Sequence, residues 1–128
     1  YTLNAPLAPE CGLADYRLVF REVFCPALEG FHPDLLIVSA GQDALADDPK
    51  AVMRLAPGDY GVLTRMLMEA TDLPLALALE GGYGPSLGHA IAAIFRALGR
   101  RSLDESPDAP PKPSTRDLVR ILKKVRGS

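Results

Sequence analysis

The stretch that decides the fold is Asp34-Leu-Leu-Ile-Val-Ser-Ala-Gly-Gln-Asp-Ala-Leu-Ala-Asp-Asp-Pro49. Its large apolar residues, Leu35 to Val38, lie between Pro33 and Gly41, so the apolar run is too short for a helix. The run does not alternate with polar residues either, which is typical of a strand that is buried on both faces of a parallel sheet. In open parallel sheets, ligands bind just beyond the carboxyl ends of the strands. The residues after Val38 are therefore candidates for a functional site.

An acidic residue follows this predicted strand closely. Asp43 comes after the small residues Ser39-Ala-Gly41, and Asp47 and Asp48 lie a few positions further on. Carboxylates delivered to this edge of a sheet are candidate metal ligands or acid/base groups. The alternative is a turn rich in aspartate, a residue that turns favour. From the spacing alone, both interpretations stay open.

A second strand is predicted at Leu75-Ala-Leu-Ala-Leu79, because Pro74 and Gly81-Gly82 on either side favour a strand over a helix. Tyr83 follows those glycines. Parallel strands end at the same edge of a sheet, so Tyr83 is predicted to lie at the same edge as Asp43. A phenol there could donate a hydrogen bond to a developing oxyanion, or it could pack on a glycine turn.

Apolar residues at three- and four-residue spacing predict helices. The first covers about Leu13 to Glu29 with a kink at Pro26, the second runs from Pro57 to about Thr71, and the third runs from Leu87 to Leu98. The alternation of helix and strand predicts an α/β fold in which a parallel sheet is flanked by helices. Two strands are too few for a complete sheet of this kind, so we expect part of a larger domain.

The C-terminal part differs in composition from residues 1–101. A Pro-rich linker is predicted over 102–113 and a basic helix over 114–128, capped by Ser114 or Thr115. The apolar residues of this helix are Leu118, Ile121, Leu122 and Val125. Its basic residues are Arg116, Arg120, Lys123, Lys124 and Arg126. A basic amphipathic helix could bind nucleic acid or a membrane surface, but we expect a terminal helix that docks on the domain through its leucines.

Composition argues against several classes of partner. The formal net charge of −2 creates no global field for nucleic acid or an anionic membrane. No apolar run approaches the roughly 20 residues that a membrane helix needs. Cys11 and Cys25 do not form a secreted disulfide framework, so reduced cysteines and a cytoplasmic location are expected. His32 and His89 are interpreted as structural, and no catalytic triad spacing stands out.

In combination, three motifs resemble the zinc-dependent histone deacetylase and acetylpolyamine amidohydrolase family. They are Phe31-His-Pro-Asp-Leu-Leu-Ile-Val-Ser-Ala-Gly-Gln-Asp43, Asp48-Pro49 and Leu79-Glu-Gly-Gly-Tyr83. Their combination at these separations is far more specific than any one of them, and the resemblance runs from Tyr1 to about Gly99. It implies a three-layer α/β fold, shared with arginases, of which this chain would be the C-terminal part.

The resemblance also implies roles for the matched residues. Asp43 matches an aspartate zinc ligand, and Tyr83 matches the tyrosine that hydrogen-bonds the substrate carbonyl and the tetrahedral intermediate. Gly81 and Gly82 match a glycine-rich loop that lines the acyl channel. Tyr1 would offer its backbone carbonyl to a structural potassium or sodium ion. The implied reaction is zinc-assisted hydrolysis of an N-acetyl amide, either acetyl-lysine or a related small acetylamide.

Other parts of the family site are missing from the sequence. The remaining zinc ligands come from an Asp-x-His motif and the proton-transfer histidines from a His-His pair, and neither motif occurs among the 128 residues. Because a catalytic zinc takes three protein ligands, the segment alone is predicted to be inactive without its own N-terminal portion as partner. The alternative is a non-catalytic binding or regulatory module that keeps the deacetylase scaffold. An arginase-like manganese hydrolase is disfavoured, because Tyr83 has no role there.

Two positions near the site bear on specificity. Gln42 precedes the expected ligand at a position that is often aromatic in the family. Lys50 lies near the expected channel mouth, where family members often carry leucine and polyamine-selective members carry an acid. A cation there should repel a polyamine, so we expect the intact enzyme to disfavour acetylpolyamines.

Overall fold

The computed structural model describes residues 2–127, in which helices and strands alternate as predicted. In chain order the elements are α1 (Leu13–Val19), a π-helical segment (Phe20–Phe24), α2 (Cys25–Phe31), β1 (Leu36–Ala40), α3 (Pro57–Ala70), β2 (Leu75–Leu79), α4 (Leu87–Leu98) and α5 (Pro113–Arg126). Within the described range, every helix is too short or too polar to cross a membrane.

The first helix continues past Pro26, as predicted, and it does so through a wider turn. The N–H of Cys25 donates to the carbonyl of Phe20, five residues back, at the end of the π-helical segment. Proline has no N–H to donate, and a π-turn just before it accommodates the missing bond. The helical path therefore extends to Phe31, after which His32 takes a left-handed conformation with φ of 51°.

The two strands pair in parallel, from Leu36 opposite Leu75 to Ala40 opposite Leu79, so they end at the same edge. Only one face of this sheet is covered by the described helices. Ile37, on the other face, is 65% exposed. The prediction that β1 is buried on both faces is therefore wrong for this chain, because nothing within residues 2–127 covers the second face.

The main core lies between α3, α4 and the covered face of the sheet. Leu63 of α3 and Ile94 of α4 are buried there, and Leu77 of β2 packs against them. A smaller cluster joins the π-helical region of the first helix to α5 through Val23 and Val119. The predicted fold class, an α/β fold with a parallel sheet flanked by helices, is confirmed.

The proline-rich segment before α5 lacks helix and strand but is attached to the domain. Asp59, fully buried at the start of α3, accepts hydrogen bonds from the N–H of Ser106 at 2.9 Å and from its hydroxyl at 2.8 Å. Arg17 of α1 forms an ion pair with Glu105. The segment thus runs along the surface of the domain and is fixed to it by polar contacts.

Helix α5 begins at Pro113, and neither of the predicted residues caps it. Lys112 precedes the helix, and the missing N–H of proline is tolerated in the first turn. The hydroxyl of Thr115 and the backbone N–H of Lys112 each donate to Oδ1 of Asp15 in α1, both at 2.7 Å. The predicted cap at Ser114 or Thr115 is therefore wrong, since a carboxylate from α1 accepts the hydrogen bonds at this helix start.

The docking face of α5 also differs from the prediction. Thr115 and Val119 are buried, and Leu122 packs in the smaller cluster. Ile121 and Val125, the other apolar residues of the helix, are 58% and 68% exposed. The predicted docking through leucines therefore holds for Leu122, but Thr115 and Val119 are the residues that the helix buries.

Candidate functional site

The candidate site lies at the edge of the sheet where β1 and β2 end. Beyond the strands, the N–H of Gln42 donates to the carbonyl oxygen of Gly81 at 3.0 Å, so the two segments stay paired past the sheet. Asp43 comes one residue, and Tyr83 two residues, after these paired positions. The structure therefore brings both residues to one edge, as the parallel arrangement of the strands predicts.

Asp43 presents an available carboxylate. Its side chain is exposed and accepts no hydrogen bond from any residue in the range 2–127. An ionised carboxylate that is not engaged by the protein keeps its lone pairs for a cation. The aspartate-rich turn remains part of the local structure, but the Asp43 side chain does not stabilise that turn through hydrogen bonds.

A cavity of about 330 Å³ lies behind Asp43, between the sheet and the helices, and its lining is mostly apolar. Tyr16 of α1 and Tyr60 of α3 line it together with Asp43. Burial is the main cause that raises the pKa of both phenols, and the nearby negative charge of Asp43 raises it further. Both tyrosines are therefore neutral at physiological pH.

Tyr83 combines an exposed ring with a restrained backbone. The ring is 76% exposed, and its hydroxyl lies 3.8 Å from the position that a Cβ would take on Gly81. The backbone N–H of Tyr83 donates to Oδ2 of Asp48 at 2.7 Å. Because the hydroxyl is free of the protein core, it is available to donate to a bound molecule, which is what an oxyanion donor requires.

Gly81 and Gly82 form a strained turn that only glycine adopts readily. Their φ angles are +87° and +111°. A Cβ on Gly82 would lie 2.8 Å from Cβ of Gln42, whose side chain is only 1% exposed. Gln42 therefore packs closely against Gly82 in this turn. The expected influence of Gln42 on specificity does not fit this buried position.

The two acids that follow Asp43 accept hydrogen bonds from different parts of the segment after β2, Asp48 from Tyr83 and Asp47 from Ser86. Asp48 is buried and accepts the backbone N–H of Tyr83, which is the main cause that lowers the pKa of its carboxyl group. Asp47 accepts the backbone N–H of Ser86 at 3.0 Å and its hydroxyl at 2.9 Å. This role of the two aspartates was not predicted from the sequence. The only signal was the Asp48-Pro49 motif, which marked the resemblance without indicating what the aspartate contacts.

Lys50 lies beside the same loop. Its backbone N–H donates to Oδ1 of Asp48 at 2.8 Å, so one carboxylate connects Lys50 to Tyr83. The side chain of Lys50 is exposed. His32 precedes β1 and so lies away from this edge, whereas His89 is exposed in α4. Tyr1, the residue predicted to bind a monovalent cation, lies outside the described residues.

The described residues do not by themselves fit a catalytic zinc. Such a site takes three protein ligands, and across residues 2–127 no group of three or more His, Cys, Asp or Glu side chains could hold a metal ion. The unengaged carboxylate of Asp43 fits one ligand of such a site. The other ligands would have to come from residues outside this range.

Comparison with known proteins gives a consistent result. Residues 1–98 match the family model described as "Histone deacetylase domain". An uncharacterised protein of Synechocystis is 45% identical over 97 residues, which cover 75% of this chain and 32% of that protein. Histone deacetylase 18 of Arabidopsis thaliana is 34% identical over 126 residues, which cover 96% of this chain and 18% of the relative.

Solved structures show the same likeness. The structure of the histone deacetylase Clr3 superposes with a TM-score of 0.89 at 31% identity, covering 98% of this chain and 21% of that chain. This chain thus spans about a fifth to a third of the length of these relatives. The described fold is accordingly part of a larger α/β domain of this type.

Proposed function

This chain belongs to the histone deacetylase domain family, and from this premise we propose that it is part of a zinc-dependent deacetylase. The proposed reaction is hydrolysis of an N-acetyl amide, such as acetyl-lysine or a related small acetylamide. Water adds to the acetyl carbonyl, the carbon–nitrogen bond breaks, and the amine leaves with a proton while acetate is released. The observation that carries the proposal is that an unengaged carboxylate, Asp43, and an exposed phenol, Tyr83, both lie beyond the strand ends at one edge of the sheet.

Asp43 and Tyr83 would have different roles in this reaction. The carboxylate of Asp43 would supply one ligand to a zinc ion, which when bound would polarise the acetyl carbonyl and activate a water. The hydroxyl of Tyr83 would donate a hydrogen bond to the oxyanion that develops on the carbonyl oxygen. Gly81 and Gly82 would line the acyl channel, since backbone without side chains permits close approach by a substrate.

The missing parts of the site are proposed to come from the N-terminal portion of the same protein. That portion would contribute two further zinc ligands and the histidines that move protons. Support comes from the absence, within residues 2–127, of any group of three possible metal ligands, and from the open face of the sheet at Ile37, which is 65% exposed. By this proposal, the segment alone is inactive.

Paired substitutions in the complete protein test the proposal. We expect Asp43→Ala to abolish tight zinc retention, and Asp34→Ala, an exposed aspartate at the opposite end of β1, to leave it unchanged. We expect Tyr83→Phe to keep zinc and to lower kcat by roughly 10²–10³-fold, as for one oxyanion donor. Zinc content and turnover of an acetyl-lysine peptide are measured on the same samples.

The outcomes separate the proposal from its alternative. Full turnover by Tyr83→Phe would contradict the assigned role of the phenol. Zinc retention by the complete wild-type protein, together with no turnover of any acetylamide, would favour a non-catalytic module that keeps the deacetylase scaffold.

A further inference from the structure

We propose that Asp48 is a positioning residue, whose buried carboxylate fixes the backbone of Tyr83 and thereby aims its phenol into the site. The inference rests on the proposed function and deepens it, because it names the group that holds the oxyanion donor in place. Asp48 itself touches no substrate in this proposal. It acts only through the two loops that follow the strands.

The need for such a group follows from the surroundings of Tyr83. The ring is 76% exposed, and its hydroxyl lies 3.8 Å from the position that a Cβ would take on Gly81. The residues before it, Gly81 and Gly82, both have positive φ and bring no side chains that could pack. Packing therefore contributes little to the orientation of this tyrosine, and backbone hydrogen bonds must provide the restraint.

Asp48 supplies that restraint through both carboxylate oxygens. Its Oδ2 accepts the N–H of Tyr83 at 2.7 Å, and its Oδ1 accepts the N–H of Lys50 at 2.8 Å. The side chain is only 6% exposed, so these donors replace the water that an ionised carboxylate would otherwise bind. One carboxylate thus connects the loop after β1 to the loop after β2.

The neighbouring Asp47 provides a matched comparison. It has the same chemistry and is adjacent in sequence, but its carboxylate holds the N–H and hydroxyl of Ser86, at the start of α4. It is not bonded to the N–H of Tyr83. Replacing each aspartate by asparagine keeps the side-chain volume and leaves one acceptor oxygen, so the two variants differ mainly in which backbone segment is released.

Hydrogen exchange in the complete protein tests the contact without reference to activity. We expect Asp48→Asn to raise the exchange rate of the Tyr83 amide about tenfold or more, because an asparagine cannot accept from both loops at once. Asp47→Asn should leave that amide within about twofold of wild type and should affect Ser86 instead. Unchanged protection of the Tyr83 amide in Asp48→Asn would overturn the inference.

A double-mutant cycle with Tyr83→Phe tests whether Asp48 acts through the phenol. We expect Asp48→Asn alone to lower kcat by roughly 10²-fold with zinc content retained, since small misplacements of a catalytic group have effects of this size. On the Tyr83→Phe background the same change should lower kcat less than about twofold, because the group that it positions is already missing. Effects that multiply in the double variant would refute the positioning role.

The two proposals fail in different ways. If Tyr83→Phe is fully active, the proposed function of the phenol is wrong, while the exchange measurement still decides whether Asp48 holds the loop. If Tyr83→Phe is inactive but Asp48→Asn keeps wild-type kcat, only the positioning role is wrong. If Asp48→Asn loses zinc or fails to fold, Asp48→Glu takes its place in the double-mutant cycle. Glutamate keeps the charge and displaces the carboxylate by one methylene group. A loss of kcat that disappears on the Tyr83→Phe background again supports the positioning role, and effects that multiply again refute it.

Discussion

Substitution of Gly82 by alanine is the most sharply defined perturbation of the candidate site. An L-residue at φ +111° adopts a strained backbone conformation, at about 1–3 kcal/mol. The new Cβ would also lie 2.8 Å from Cβ and 2.9 Å from the carbonyl carbon of Gln42, so the loop or the buried glutamine must move. Overpacking of this kind adds about 1–3 kcal/mol, which gives a total loss of about 2–6 kcal/mol in the stability of the loop.

Gly81→Ala is the matched control for this substitution. Gly81 also has a positive φ, of +87°, but a Cβ there would meet the Tyr83 hydroxyl at 3.8 Å, an ordinary van der Waals contact. The control therefore carries the backbone strain without the clash. The difference between the two variants measures the contact with Gln42, which we expect to be about 1–3 kcal/mol.

The assay is urea unfolding of the complete protein, combined with turnover of an acetyl-lysine peptide. We expect Gly82→Ala to unfold at lower urea than Gly81→Ala and to lose more turnover, because movement away from Gln42 displaces Tyr83. Equal destabilisation by the two variants would refute the reasoning about the clash. A Gly82→Ala variant as stable as wild type would also refute the argument from backbone strain.

Two other predictions concern specificity and the C-terminal helix. We expect Lys50→Glu to raise turnover of acetylspermidine relative to turnover of an acetyl-lysine peptide, because the cation at Lys50 should repel a polyamine. Arg96→Glu, which makes the same charge change in α4, should leave this ratio unchanged. Equal ratios for wild type and Lys50→Glu would contradict a role of Lys50 in specificity. We expect Asp15→Asn to release α5 and to speed proteolytic cleavage just before it, whereas exposed Asp117→Asn should not. Burial raises the pKa of Asp15, but hydrogen bonds, first that from Thr115, outweigh it and leave the pKa below its ordinary value of 3.8. The ionised Asp15 therefore stabilises the docking of α5 fully above pH 3.8, and the docking weakens as the pH falls through the lower pKa of the folded state. A rate of proteolytic cleavage before α5 that does not rise in acid would contradict this prediction.

The position of the candidate site was predictable from the sequence because parallel strands end at the same edge of a sheet. Two short apolar runs bounded by proline and glycine predicted β1 and β2, and their parallel pairing brings Asp43 and Tyr83 to one edge. The roles of these residues remain predictions. Composition and spacing alone did not separate Asp43 from Asp48, since both are acids in the same loop, and only the family resemblance favoured Asp43.

Hydrogen-bond partners make that separation. Asp48 is buried against an N–H that is 35 residues away in sequence, whereas Asp43 is exposed and accepts no hydrogen bond from the described residues. Gln42 shows the same limit. Its position, which is often aromatic in the family, suggested an influence on specificity, but the close approach of Gly82 buries it.

The sequence by itself determined the helices α3 and α4, the two strands and the family. Apolar periodicity, proline and glycine affect the conformation of nearby residues, so these signals can be recognised in the sequence without knowledge of distant contacts. Only the tertiary structure decided that Val119 docks α5 while Ile121 stays exposed, and that one face of the sheet is open at Ile37. It alone also showed that Asp48 holds the loop of Tyr83. Each of these depends on packing or hydrogen bonding between segments far apart in the chain, and such contacts leave no periodic signal in either segment.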